Sequence, residues 1–125
     1  MISSSYSVIK TRHVNATAEF YQKYFGFQRS FSADWYVSLK TGNVELAILD
    51  PDHDSIPVKF RGCVSNQGVI LNFETEQVDE IYNKFKESLI PIHLELKDEP
   101  WGQRHFISED PNGIPLDVIK VIPPS

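Results

Sequence analysis

The chain has 125 residues, of which 41% are hydrophobic and 23% are charged. This mix is typical of a globular domain and excludes a wholly disordered chain. The net charge of −5 and the lack of a dense cationic run argue against nucleic acid as a partner. No apolar run approaches the roughly 20 residues that span a bilayer, and the opening residues are polar, so we expect a cytoplasmic protein without membrane contact.

The first half of the chain predicts one helix and four strands. Aromatic residues at helical spacing indicate a helix over 16–25, with Asn15 as its N-cap and Gly26 just beyond its end. Alternating, aromatic or β-branched residues predict the strands, and Thr41-Gly42-Asn43 predicts the turn before the last of them. The predicted strands cover residues 6–10, 27–32, 35–40 and 44–49.

The same order recurs after a turn-rich connector at about residues 51–67. Apolar residues from Val78 to Leu89 follow a helical period, and Pro91 cannot continue that helix. Strands are predicted at residues 69–73, 92–97, 104–108 and 114–122. Cys63 lies in the connector, where it has no obvious activating base and cannot form an internal disulfide, so we interpret it as a passive thiol.

The repeated order predicts a single α+β domain of two tandem βαβββ modules forming a cupped mixed sheet. Module one covers about residues 5–50 and module two about residues 68–122. A single helix cannot cover both faces of a four-stranded sheet. We therefore expect the two modules to cup a small-molecule cavity that both halves line.

Three segments carry a resemblance to a known family: Glu19–Phe27, Pro100–Phe106 and Asp110–Asp117. They are similar to the FY…LGF helix and the PWGxRxF…DPxG hairpin of the vicinal-oxygen-chelate superfamily, which includes glyoxalases, bleomycin-resistance proteins and extradiol dioxygenases. The resemblance spans about residues 6–121 and is closest to the metal-poor, bleomycin-resistance-like branch. It implies the paired βαβββ fold, often as a homodimer.

The resemblance also implies where a divalent metal would be held in the enzymes of this superfamily. Their ligands come from the first and last strands of each module, and the matching positions here fall near Tyr6 or Ser7, Glu45, Ile70 and Asp117. Only two carboxylates remain at these positions. A catalytic site for a borderline metal uses about three protein ligands, commonly with imidazole among them, so the set is incomplete.

The candidate ligand-binding residues are aromatic or charged residues of the predicted strands and hairpin. An aromatic lining would stack a flat ligand, and Arg104 would pair with an anionic group. Core packing, a surface salt bridge and a solvent-facing strand position remain the alternatives. The set is Trp35, Tyr36, Glu45, Trp101, Arg104, Phe106 and Asp117.

The four histidines are scattered, without the spacing that gathers two imidazoles on one face. We expect His13 in a surface loop, His53 as a solvated side chain and His93 on the polar side of its strand. His105, on a strand that borders the cavity in relatives, is the histidine best placed for ligand contact.

These observations favour a metal-independent small-molecule binding protein without a cofactor, with turnover left open. The alternative is a lyase, isomerase or dioxygenase that depends on a divalent metal, with Glu45, Asp117 and His105 as ligands. A third possibility is a dimeric interaction module with a filled core. The sequence does not name the ligand.

Overall fold

The computed structural model of the chain describes residues 1–62 and 68–125. It divides into two compact units, Met1–Val64 and Ser65–Ser125, here called module one and module two. Each module has the order strand, helix, three strands, so the prediction of two tandem βαβββ modules in the α+β class is confirmed. The prediction for Cys63 lies outside the described residues.

Module one forms a four-stranded sheet with the order β1-β4-β3-β2, and its helix follows the first strand in sequence. β1 runs parallel to β4, and the other neighbours are antiparallel. A short 3-10 helix, Val58–Phe60, follows in the connector. The elements are β1 (Ser7–Lys10), α1 (Val14–Phe25), β2 (Gln28–Ser32), β3 (Tyr36–Thr41) and β4 (Val44–Leu49).

Module two repeats this topology with the sheet order β5-β8-β7-β6. β5 is parallel to β8, whereas β6, β7 and β8 are joined by antiparallel pairing. The elements are β5 (Leu71–Glu74), α2 (Val78–Glu87), β6 (Ile92–Glu99), β7 (Gln103–Glu109) and β8 (Pro115–Val121). No helix within the described ranges is both long and apolar enough to cross a membrane.

The start of α1 differs from the prediction. His13, not Asn15, occupies the N-cap position, and its backbone N–H donates to the Thr11 hydroxyl at 2.9 Å. Asn15 therefore lies inside the first turn, where its side-chain amide donates to Glu19 at 2.9 Å. The turn into the helix therefore starts with the side chain of Thr11, two residues before the cap, and not with Asn15 as predicted.

The end of α2 is also earlier than predicted. The helix stops at Glu87, and Leu89 takes a left-handed conformation with φ 57° and is 90% exposed. The N–H of Ile90 then bonds the carbonyl of Phe85 at 2.9 Å, which is the Schellman pattern. Leu89 thus continues the apolar spacing in sequence but does not belong to the buried face of the helix.

Each sheet has one face covered by the helix of its own module. In module one, alternate residues of the two central strands, β3 and β4, point towards α1 and are buried: Val37, Leu39, Leu46 and Ile48. In module two the equivalent residues are Phe106, Leu116 and Val118, which face α2. Burial of each such side chain contributes about 1.5–3 kcal/mol relative to leaving it exposed.

The opposite face of each sheet, here called the helix-free face, carries the other alternate residues. In module one this face includes Tyr36, Ser38 and Glu45. In module two it includes Glu99, His105 and Asp117. These two faces are where most of the polar and aromatic side chains of interest lie.

Candidate functional site

The two β7 residues predicted to line a ligand cavity, Arg104 and Phe106, point towards α2. Phe106 is fully buried, and its ring centroid lies 5.2 Å from that of Tyr82 and 5.4 Å from that of Phe85. Because neighbouring strand residues alternate in direction, neither side chain shares a face with Asp117. Phe106 packs in the core of module two and is left out of the candidate site.

Arg104 is held by two carboxylates on the helix-covered side. Its Nε and Nη2 donate to the two oxygens of Asp79 in α2 at 2.9 and 3.0 Å, and its Nη1 donates to Asp98 in β6 at 3.0 Å. The hydrogen bond from Arg104 lowers the pKa of Asp79, and the bonds to Asp79 and Asp98 raise the pKa of Arg104. The surface salt bridge considered from the sequence is therefore the arrangement that the structure contains.

Trp101 lies in the turn between β6 and β7 and is mostly exposed. Its indole Nε1 donates to the side chain of Gln103 at 2.9 Å. Its ring approaches that of His105 edge-on, with the centroids 6.5 Å apart. Trp101 therefore borders the helix-free face of module two at the end of the hairpin.

On that face, His105 is bonded to a carboxylate at each ring nitrogen. Nδ1 lies 2.8 Å from Asp117 Oδ1, and Nε2 lies 3.1 Å from Glu99 Oε2. The histidine is only 5% exposed, and both acidic side chains are largely buried. The cluster Glu99–His105–Asp117 joins three adjacent strands, β6, β7 and β8, through one imidazole.

The electrostatics of this cluster favour a charged ring. Burial lowers the pKa of His105, but the hydrogen bonds with Glu99 and Asp117 outweigh burial and raise it above 6.5. The hydrogen bond from His105 in turn lowers the pKa of Glu99, with help from Lys97, whose Nζ lies 3.3 Å from that carboxylate. An imidazolium between two carboxylates donates from both nitrogens.

The residues present do not fit a divalent metal in module two. A histidine ligand must offer a lone pair, whereas both nitrogens of His105 are bonded to carboxylates and its raised pKa favours the form with no lone pair. At the position matching a ligand on the fifth strand, Ile70 has no donor atom and precedes β5, which begins at Leu71. In the described part of the chain, no group of three His, Cys, Asp or Glu side chains is arranged to hold a metal ion.

Module one presents exposed aromatic side chains instead. Phe31 and Tyr36 lie on the helix-free face with ring centroids 6.0 Å apart. Trp35 precedes β3, and its ring centroid is 5.6 Å from that of Tyr36. Phe31 is 52% and Trp35 37% exposed, while the other aromatic rings of the sheet and helix in this module are mostly covered. We call Phe31, Trp35 and Tyr36 the aromatic group.

A β-bulge explains the direction of Phe31. Arg29 pairs with Leu39 and Phe31 pairs with Ser38, so Ser30 is an additional residue in β2. The additional residue reverses the alternation, which turns Arg29 towards α1 and Phe31 towards the helix-free face. Ser30 bonds the hydroxyl of Ser38 at 3.1 Å, which holds the bulge against β3.

Two further contacts complete this surface. Trp35 stacks on His53, with ring centroids 3.9 Å apart and ring planes inclined by 7°. His53 was predicted to be solvated, but its ring packs against this indole. Burial raises the pKa of Tyr36, and its contact with Tyr6 and the nearby charge of Glu45 raise it further. Glu45 itself forms an exposed ion pair with Lys40 at 3.8 Å.

Sequence reasoning did not identify Glu99, Phe31 or His53. Glu99 could have been found from the hairpin register, which places Lys97 opposite His105 and Glu99 opposite Gln103, all on one face. The position of Phe31 could not be predicted, because no residue pattern reveals the bulge.

Two other histidines lie outside the candidate site. His93, expected on the polar side of its strand, is exposed there and lies 2.8 Å from Glu109. His13, expected in a surface loop, occupies the N-cap position of α1.

Comparisons with known proteins agree on the fold. The chain matches the family model of the glyoxalase/bleomycin resistance protein/dioxygenase superfamily over residues 5–118. Among solved structures it is similar to a lactoylglutathione lyase from Agrobacterium tumefaciens, with 22% identity, 95% of this chain and 94% of that chain covered, and a TM-score of 0.74. No curated protein matches the sequence.

Two other solved structures are similar over nearly their whole length. A glyoxalase/bleomycin resistance protein/dioxygenase family enzyme from Burkholderia phytofirmans has 22% identity, coverage of 94% and 98%, and a TM-score of 0.79. A protein of unknown function from Agrobacterium tumefaciens has 20% identity, coverage of 98% and 96%, and a TM-score of 0.80. At these identities the likeness shows a shared fold, and the match of the family model over 5–118 shows that the chain belongs to the glyoxalase/bleomycin resistance protein/dioxygenase superfamily.

Proposed function

We propose that this protein binds a small, partly aromatic molecule without a metal, on the helix-free face of module one. The observation that carries the proposal is the exposure of Phe31 and Trp35 beside the half-buried Tyr36, next to a sheet face that its own helix does not cover. Aromatic rings that remain accessible beside a few polar groups are typical of small-molecule sites.

The surroundings of the aromatic group supply polar contacts for orienting a ligand. The hydroxyls of Tyr36 and Ser38 lie on the same face, and Glu45 is close enough to Tyr36 to raise its pKa. The ion pair of Glu45 with Lys40 is exposed and long, so it contributes little to stability. A polar group of a ligand can therefore replace either partner. This combination suits a flat ring with one polar or charged substituent.

Metal independence is supported by the Glu99–His105–Asp117 cluster. The resemblance assigns Asp117 to a ligand position, but here its carboxylate is bonded to the ring of His105 at 2.8 Å. A metal would have to displace a charged hydrogen bond and recruit ligands that the matching positions lack. The lyase named among the structural relatives therefore suggests the fold of this chain and not its chemistry.

Two matched aromatic probes test the binding proposal: 2-phenylethylamine, a cation, and phenylacetate, an anion. We expect at least one of them to shift the backbone amide signals of Phe31, Tyr36 and Ser38 in an NMR titration. Phe31→Ala should weaken binding of that probe by roughly two- to tenfold, because losing one aromatic contact costs roughly 0.5–1.5 kcal/mol. Phe31 is exposed, so this change should not disturb folding.

Phe60→Ala is the matched control, since Phe60 is an exposed aromatic residue of the same module outside the aromatic group. It should leave the affinity for the probe unchanged. If neither probe shifts the aromatic group at millimolar concentration, or if both alanine variants weaken binding equally, the proposed site is wrong.

A further inference from the structure

His53 lies in the turn after β4, and its ring covers one face of the Trp35 indole. The two ring centroids are 3.9 Å apart, and the ring planes are inclined by 7°. The Trp35 ring in turn lies 5.6 Å from that of Tyr36, centroid to centroid. His53 therefore contacts the aromatic group directly, although it is not one of its three members.

The hydrogen bonds of His53 identify the form of its ring. The backbone N–H of Ser55 donates to Nδ1 at 3.2 Å, and a ring nitrogen that accepts a hydrogen bond carries a lone pair in place of a proton. The hydroxyl of Ser55 lies 2.7 Å from the same nitrogen. The arrangement is thus that of a neutral imidazole with its proton on Nε2.

The turn also tolerates a proton on Nδ1. The backbone N–H of Ser55 would lose its acceptor, but the Ser55 hydroxyl can accept from the new N–H instead of donating. The carboxylate of Asp54 lies 3.7 Å from Nδ1, and the side chain of His53 is 25% exposed, so a charged ring has a counter-ion and contact with water. Losing one long hydrogen bond of an exposed turn is a small cost.

Other titratable groups lie in the turn of His53 and in the segment beside Trp35. Asp52 is paired with Arg12, and Arg61 donates to the backbone carbonyl of Asp54. Carboxylates, phenols and guanidinium groups ordinarily change charge outside the range of about pH 5–8, within which histidine ordinarily does so. Of these groups, His53 is therefore the one whose charge varies near neutral pH. The others are Arg12, Asp34, Tyr36, Asp50, Asp52, Asp54 and Arg61.

We propose that His53 is a specificity-determining residue of the aromatic group: its protonation shifts the preference of that group from cationic towards anionic aromatic ligands. This role rests on the proposed function, because it concerns a ligand held by the aromatic group. The imidazolium would place one positive charge 3.9 Å from the indole centroid of Trp35. An added positive charge attracts an anion and repels a cation, so the sign of the effect follows from electrostatics alone.

Phenylacetate and 2-phenylethylamine are the matched probes, because carboxylates and alkylamines keep their charges between about pH 5.5 and 8. Each is titrated by NMR at both pH values, with binding followed at the amide signals of Phe31 and Tyr36. Lowering the pH should tighten phenylacetate and weaken 2-phenylethylamine, each by roughly two- to fivefold, as expected for one nearby charge in water. Where only one probe binds, the direction of its own change decides the question.

His53→Gln, which carries no charge at either pH, should abolish these changes. His13→Gln is the matched control, since His13 lies at the N-cap of α1, outside the aromatic group, and should leave the changes intact. Equal affinities at the two pH values, or a pH dependence that survives in His53→Gln, would contradict the role of His53. Should His53→Gln fail to fold, the direction of the changes in the unchanged protein and in His13→Gln decides.

A measurement without ligand separates the role of His53 from the existence of the aromatic site. The ring carbon signals of His53 and the indole Nε1–H signal of Trp35 should move together between about pH 8 and 5.5, and the change at Trp35 should be absent in His53→Gln. A His53 ring that keeps its charge over this range would refute the role and leave the binding site in place. If neither probe binds at either pH, the aromatic site and its selection by charge are both ruled out.

Discussion

At the scale of single residues, His105 is the most constrained ionisable group of module two. Its ring is nearly buried and touches a carboxylate at each nitrogen, so its charge and its position depend on each other. A single imidazole thereby links β6, β7 and β8, which are otherwise joined by pairing between adjacent strands in the sheet order β5-β8-β7-β6. The consequence is a pH dependence of folding with a definite sign.

The folded-state pKa of His105 is raised above its ordinary value of 6.5. Its stabilising contribution is therefore fully present below about 6.5 and is lost as the pH rises through the folded-state pKa. His105→Gln should lower the free energy of unfolding by about 3 kcal/mol at pH 6, as expected when one partner of a buried charged cluster is removed. The loss should be smaller at pH 9, and denaturant unfolding at both pH values measures it.

Glu99 acts in the opposite direction on the acid side. Its pKa is lowered by the hydrogen bond from His105, so its contribution to stability is present above its ordinary pKa and is lost as the pH falls.

His93→Gln is the control for His105→Gln, because His93 is exposed and bonds one carboxylate, Glu109. A loss of stability for His105→Gln that is the same at both pH values would contradict a charged imidazole in the folded state.

At the scale of elements, each helix is followed by a residue in the left-handed conformation, but the residue type differs. Gly26 closes α1 with φ 73°, while Leu89 follows α2 with φ 57°. A left-handed conformation costs an L-residue roughly 1–2 kcal/mol, which glycine avoids. Module two therefore carries strain at a position that module one has relieved.

Leu89→Gly should stabilise the protein by about 1 kcal/mol, because the strain relieved exceeds the added flexibility of the unfolded chain. Little packing is lost, since Leu89 is almost fully exposed. Leu89→Ala is the matched control: it removes the same side chain but keeps the Cβ atom, so its stability should equal that of the unchanged protein. Thermal and denaturant unfolding of the three proteins measure the difference, and equal gains for both variants would show that strain is not the cause.

The elements themselves could be predicted because their signals are local. Both helices and all eight strands follow from apolar spacing and turn residues, and the predicted order is the observed one. Helix ends were less accessible: Leu89 continued the spacing of α2 by sequence alone, yet the chain turns before it reaches the core. The face on which a side chain lies could not be predicted where a bulge reverses the alternation, as at Phe31. The same holds for Arg104 and Phe106, whose face is covered by α2.

The candidate site was predicted only in part for the same reason. Asp117 and His105 were each considered from the sequence, but their bond to each other and to Glu99 depends on the register of three strands. The turn between β6 and β7 places Glu99 opposite Gln103, whereas the diagonal placement of His105 and Asp117 depends on the pairing of β7 with β8. The hydrogen bonds of Arg29 with Asn15 and Gln22 in α1 likewise depend on the bulge that turns its side chain towards the helix.

At the scale of the whole molecule, acidic groups outnumber basic ones, with 17 Asp and Glu against 12 Lys and Arg. The whole excess lies in residues 63–125, which contain eleven acidic and five basic side chains, whereas residues 1–62 contain six acidic and seven basic ones. Repulsion among like charges destabilises a compact chain and is screened by salt, whose Debye length falls from about 30 Å at 0.01 M to about 10 Å at 0.1 M. Simple salt should therefore stabilise this protein without binding to it.

That expectation separates screening from metal binding. Raising NaCl from about 0.01 M to about 0.3 M should increase Tm by a few degrees, since roughly 1 kcal/mol shifts Tm by about 3–5 °C in a chain of this size. MgCl₂ and MnCl₂ at matched ionic strength should give the same increase, and EDTA should give none. A specific site would instead add RT ln(1 + [M]/Kd) to the free energy of unfolding. This contribution would appear at micromolar metal, where screening is unchanged, and would grow with the logarithm of the metal concentration. Because Asp117 is bonded to His105 and Ile70 has no donor atom, we expect the sodium, magnesium and manganese curves to coincide; a separate rise with micromolar Mn²⁺ that EDTA reverses would show that the His105 cluster opens to hold a metal.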